Sequence, residues 1–261
     1  MLLAHSEVAQ IPIPPQAEPS AADSFNRWFE VIQADTPEQI EQVYRLRYQV
    51  YCVENPFEDP AENPEGLETD GYDTQAAHSL IRHRPSGEVA GAVRLILPDP
   101  EALSTSFPIQ EVCRHPLVTD SKRIPLHSSA EVSRFAISKQ FRRRLGDTLY
   151  GETKPEGVTP LPVRNERRRM PHITLGLLRA CLQMSAERDV THLFAVMEPS
   201  LIRLIRRFGL HFEPLGPTVN YHGVRQPCFA EIEDLLSYSQ THKEELWQVA
   251  TDQGRIWRGA A

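Results

Sequence analysis

The stretch 128–144, SSAEVSRFAISKQFRRR, constrains the fold more than any other part of the chain. Residues 131–137 read as a β-strand, yet the strand holds Glu131 and Arg134 and is followed by three consecutive arginines, Arg142, Arg143 and Arg144. Successive strand residues point to opposite faces, so Glu131 and Arg134 would lie on opposite sides of a regular strand. If both serve one site, the strand must carry a bulge between them. An ordinary ion pair at a strand edge is the alternative, and the two readings overlap. Taken alone, the arginine run reads as a solvated face.

The elements around this strand indicate a mixed α/β domain, with helices flanking a mostly antiparallel sheet. Thr36-Pro37-Glu38-Gln39 predicts a helix start, with Thr36 as cap, Pro37 at the first position and Gln39 completing a capping box. Ile40, Val43, Tyr44, Arg47, Val50 and Tyr51 then form one stripe, mainly apolar, with Arg47 embedded in it. Residues 54–75 read as an acidic loop, and AHSLIRHR-PSGE-VAGAVRLIL as two strands joined by a turn. Further helices are expected from near Pro171 to Arg188, over PSLIRLIRRFG and from about Asp234 to Gln253, with strands at VTHLFAVME, LHFEPLGPTVNYHG and QPCFAEIE. The expected organisation is a flexible tail over 1–24, a domain over 25–235 with a flexible insertion at 145–170, and a C-terminal helical extension over 236–261.

Composition narrows the function classes. With 28 basic against 35 acidic residues the net charge is −7, which disfavours wholesale nucleic-acid binding except through a local basic patch. No apolar run approaches the roughly 20 residues that span a bilayer, and the N-terminal residues make a poor signal peptide. Cys52, Cys113, Cys181 and Cys228 are far apart with no CxxC pair. They read as reduced buried thiols in a cytoplasmic protein. The 10 histidines show no metal-ligand spacing.

Six residue types in order carry a resemblance. They are Arg47 with Tyr51 four residues on and Phe57 beyond; the pattern E-x-D-x-x-D at Glu68, Asp70 and Asp73; Arg94 in GAVRLIL; and E-x-S-R-F at Glu131, Ser133, Arg134 and Phe135. In these the chain resembles the acyl-homoserine-lactone synthases of the LuxI type and the N-acyl amino acid synthases. Within that group it looks closest to acyltransferases associated with the PEP-CTERM/exosortase system of bacteria. The resemblance covers roughly residues 36–232 and implies a GNAT-like acyltransferase fold. The chain departs from the group in its aromatic pair, Tyr51 and Phe57, and in the length of the segment after the arginines.

The resemblance also implies roles. Arg142, Arg143 and Arg144 stand where a loop would hold the phosphate of a phosphopantetheine arm or dock its carrier. Glu131 becomes the candidate general base, since an ammonium must lose a proton before its nitrogen attacks a thioester. Ser133 and Arg134 complete the catalytic motif, although no histidine makes a triad with Ser133. Arg47, Glu68, Asp70, Asp73 and Arg94 form an ionic cluster that either binds a charged acceptor or fixes the acidic loop. Tyr51, Phe57, Phe135, Leu95 and the helix face Ile173–Leu182 either line an acyl pocket or are plain core. The expected activity is transfer of a fatty acyl group from a phosphopantetheine thioester, on acyl carrier protein or coenzyme A, to a small amine acceptor, with no permanently bound cofactor. A lactone-forming synthase using S-adenosylmethionine, an acetyl-CoA-dependent enzyme and a nucleic-acid-binding module are the rivals.

Overall fold

The computed structural model describes residues 20–120, 122–142 and 173–257. Arg143, Arg144, the 145–170 segment and most of the expected tail fall outside the described residues, as does the side chain of Arg142. Helix α1 (Ala21–Trp28) is capped by the Ser20 hydroxyl, which accepts the Asp23 N–H, and buries Ala22 and Phe25. The residues after Ser20, read above as the end of a tail, are therefore helical and anchored.

Strand β1 (Phe29–Gln33) leads into α2 (Pro37–Tyr48), which has the expected capping box. The Thr36 hydroxyl accepts the Gln39 N–H, while the Gln39 side-chain Oε1 accepts the N–H of Thr36 and that of Asp35. Val43, Leu46 and Arg47 form the buried stripe of α2. Its last turn widens into a π-helical segment, Gln49–Glu54. Strands β2 (Ala76–His83) and β3 (Val89–Ile96) form the expected hairpin, turned at Gly87 with φ +72°.

The segment 98–129 holds short helices α3 (Ile109–Val112) and α4 (Pro116–Thr119). Phe107, Ile109, Val118, Ile124 and Leu126 pack there as a second core around Phe194. Strand β4 (Ser129–Ile137) is followed by α5 (Lys139–Arg142), then α6 (Ile173–Ala186), β5 (His192–Met197) and α7 (Pro199–Arg207). The short strands β6 (Glu213–Pro214) and β7 (Val219–Asn220) precede β8 (Val224–Glu231). Two helices finish the chain, α8 (Ile232–His242) and α9 (Glu244–Ala250).

The sheet order is β1-β2-β3-β4-β5-β8-β6, with β7 beside β8. All pairings are antiparallel except β4 with β5. One face carries α2, the acidic loop and the Phe194 core; the other carries α1, α6, α7, α8 and α9 over the main core. Leu236, Trp247, Val249 and Ala250 are buried in that main core. The C-terminal residues set apart above as an extension thus pack as part of the domain. The GNAT-like mixed fold expected from the sequence is the fold observed.

Candidate active site

Two irregularities in the sheet create the site. The first is a bulge. Ala92 of β3 pairs with Ala136 of β4, but Arg94 pairs with Ser133, so β4 spends three residue steps where β3 spends two. The extra residue lies at Arg134, whose φ of +49° is left-handed. A non-glycine residue held there is uncommon and must be fixed by its surroundings. The bulge brings Arg134 to the same face as Ser133 and Glu131, as the charge pattern of the strand required. The second irregularity is a split. The parallel strands β4 and β5 pair only from Ser129 against His192 to Val132 against Ala195. Beyond that level both continue, β4 held by β3 and β5 by β8.

A cavity of about 150 Å³ occupies this split. Its polar part includes Glu131, Ser133, Arg134 and Arg94, and its apolar part reaches Leu178, Cys181 and Leu182 of α6 and Leu201 and Ile205 of α7. Tyr51, Phe57 and Phe135, expected as pocket residues, all line it. The π-helical turn contributes Val50 and Tyr51 to this wall, in keeping with the association of such turns with functional sites. Leu95 does not line the cavity; it points into the main core and is fully buried there.

Beside the cavity three guanidinium groups meet four carboxylates. Arg47, 1% exposed, donates to Glu68 at 2.5 Å and grips Asp73 through two nitrogens at 2.6 and 3.1 Å. Arg94, also 1% exposed, donates from Nε to the Ser133 hydroxyl at 2.9 Å and from Nη1 to Asp70 and Asp73 at 2.5 and 2.8 Å. Arg134 donates to Glu68, Glu58 and Asp70 at 3.0–3.1 Å and lies over the Tyr51 ring. Burial alone would raise the Glu68, Asp70 and Asp73 carboxyls; the neighbouring arginines overcome it and hold all three below the ordinary range. His78, whose Nε2 is 3.6 Å from Asp73, is pushed down to about 4 by burial and stays neutral.

This network ties α2, the acidic loop, β3 and the β4 bulge together. Of the expected cluster, only Arg94 lines the cavity; Arg47, Glu68, Asp70 and Asp73 are engaged behind it. Glu131 stands apart. It is 2% exposed, and its carboxyl accepts the Ile109 N–H at 2.8 Å and makes no other hydrogen bond among the described residues. Burial pushes its carboxyl up to about 8, where a general base able to deprotonate an ammonium is best matched.

Several cavity residues went unnoticed in the sequence. Glu58 joins Arg134 to the loop, and Tyr221, His222 and Arg225 reach the rim from the β7–β8 hairpin. Arg225 lies over the Phe57 ring and pairs with Glu198 at 3.2 Å. The hydroxyls of Tyr51 and Tyr221 have no hydrogen-bond partner among the described residues, and burial raises both phenols, Tyr51 to about 12. Only the NYHG turn hinted at the hairpin, with His222 at φ +49° and Gly223 at φ +98°.

A family model described as "Acetyltransferase (GNAT) domain" matches residues 46–151. An acyl-homoserine-lactone synthase of Vibrio anguillarum is 26% identical over 172 residues, covering 66% of this chain and 74% of that protein. Among solved structures, TofI in a ternary complex with an inhibitor and MTA superposes with a TM-score of 0.54 at 23% identity, over 82% of this chain and 96% of TofI. FeeM, an N-acyl amino acid synthase from uncultured soil microbes, gives a TM-score of 0.51 at 11% identity, over 81% and 94%. The chain is a GNAT-fold acyltransferase, related in sequence to an acyl-homoserine-lactone synthase and alike in fold to an N-acyl amino acid synthase.

Proposed function

We propose that the protein is an N-acyltransferase that moves a fatty acyl group from a phosphopantetheine thioester to the amine of a small acceptor, an amino acid or its derivative. The observation that carries this reading is the cavity in the β4–β5 split, which joins a buried carboxylate and a bulged strand to an apolar limb. In the proposed step Glu131 takes a proton from the acceptor ammonium and the freed nitrogen attacks the thioester carbon. The C–S bond then breaks; the nitrogen, which still carries one proton too many for an amide, gives it up, and the departing sulfur takes it and leaves as a thiol. Backbone N–H groups at the Arg134 bulge are the proposed oxyanion donors, each worth on the order of 3 kcal/mol to the transition state. Arg94 and Ser133 orient the acceptor, with Arg94 held in place by Asp70 and Asp73.

The carrier is proposed to be acyl carrier protein or coenzyme A, met in the cytoplasm. The amphipathic helix α7 supports an acidic carrier: Leu201 and Ile205 face the cavity while Arg203, Arg206 and Arg207 are exposed on its outer side. Arg142, Arg143 and Arg144 remain the proposed grip on the phosphate. The size of the apolar limb argues against an acetyl group. The narrower kinship with PEP-CTERM/exosortase-associated acyltransferases is our reading of the motif order.

A second reading, lactone formation from S-adenosylmethionine, is favoured by the relation to the Vibrio anguillarum enzyme. One experiment addresses both. Mass spectra of lipid extracts from a bacterial host expressing wild type or Glu131→Gln should show N-acyl products with the wild type alone. Acyl amino acids support the first reading and acyl lactones the second. Identical extracts from the two strains would end both.

A further inference from the structure

The apolar limb of the cavity has a direction. Alternate residues of β5, Leu193, Ala195 and Met197, line it on the helix-covered face of the sheet. Met197 pairs with Gln226, beside Arg225 at the rim, whereas His192 pairs with Glu231, one residue before α8 begins. The limb therefore runs from the rim toward the α8 end of β5. There Leu235, in the first turn of α8 and 4% exposed, lines it. Behind this wall α9 packs against both α8 and α6, so the wall is backed by core and does not open to solvent.

We infer that Leu235 is the floor of an acyl channel that selects medium-length chains, of about eight to twelve carbons by strand length, an inference that rests on the acyl-transfer reading above. From Leu193 to Met197 is four residue steps of roughly 3.3 Å, about 13 Å, close to the length of an extended chain of about ten carbons. A shorter chain leaves the limb part-filled and forfeits about fourfold in preference per missing methylene. A longer one meets Leu235. The residues that set chain length thus include one from the C-terminal helices.

The test measures kcat/KM for acyl-CoA donors from four to sixteen carbons, with wild type, Leu235→Ala and Leu235→Phe. In parallel, the same donors displace a fluorescent fatty acid from each variant without acceptor. Wild type should peak between eight and twelve carbons. Leu235→Ala should move the peak at least two carbons longer, and raise the 14:8 ratio about tenfold; Leu235→Phe should lower that ratio. Circular dichroism melts select variants that fold. A length preference that moves in displacement while no variant transfers acyl groups upholds the channel and overturns the transfer reading. Transfer with an unmoved 14:8 ratio in both folded variants overturns the channel and leaves the transfer reading standing.

Discussion

Replacing Glu131 by glutamine should stabilise the fold while removing activity, and the gain should depend on pH. The Glu131 carboxyl, ordinarily near 4.5, is pushed up to about 8 by burial. The native state therefore favours the protonated form, a preference that stabilises fully below pH 4.5. It is lost progressively as pH rises toward 8, because the unfolded chain has already released the proton that the native state still holds. At about 1.4 kcal/mol per pH unit, the loss over this window comes to about 5 kcal/mol, an upper figure because a real site relaxes around the charge. Glutamine keeps the shape and can still accept the Ile109 N–H but has no proton to lose. Urea unfolding of both proteins at pH 5, 7 and 9 measures the difference. The curves should nearly coincide at pH 5 and separate by at least 2 kcal/mol at pH 9, with the variant the more stable. Parallel pH dependences would refute the argument, since Glu131 would then titrate alike in both states. The wild-type kcat/KM should rise up to about pH 8, and the variant should fall about a hundredfold or more below it.

Other perturbations probe the surrounding structure. Arg47→Met leaves buried Glu68 with the Arg134 guanidinium alone and buried Asp73 with that of Arg94 alone, and should destabilise by about 3 kcal/mol in urea melts. Acid should weaken the wild type by the same route: the lowered Glu68, Asp70 and Asp73 carboxyls stabilise the fold above their ordinary values, and this is lost as pH falls toward their native ones. Gly176→Ala would set a Cβ 2.4 Å from the Phe25 ring, an overpacking expected to cost about 1–3 kcal/mol and to lower Tm. Reversing the charge of Arg203, Arg206 and Arg207 together should raise KM for an acyl carrier protein about tenfold at low salt and alter KM for acyl-CoA far less.

Local chemistry was legible in the sequence; long-range neighbours were not. The capping box at Thr36–Gln39 was readable because its hydrogen bonds span three residues. The β4 bulge followed from requiring one site for Glu131 and Arg134, and Arg134 duly sits at φ +49°. The acidic loop supplied the expected carboxylates, but a pattern of acids does not say whether they face arginines or a substrate. That is decided by β3 and α2, which bring Arg94 and Arg47 within reach. Arg225 and Glu198 were invisible for the same reason: they meet only because β5 and β8 are neighbours in the sheet. The C-terminal helices were set apart as an extension because Lys243 and the polar residues around it break the apolar run, although Leu236, Trp247 and Val249 join the buried core.

The parting of β4 from β5 has a kinetic consequence. The ionic network lies on one face of the sheet and the apolar limb on the other, so on the proposed reading the two reactants would reach a common point from opposite sides of a wall one strand thick. Neither needs to vacate for its partner to enter. Initial-rate plots at several fixed concentrations of each reactant should intersect, as they do when both are bound together, and isotopic exchange between thioester and free thiol should be absent without the amine.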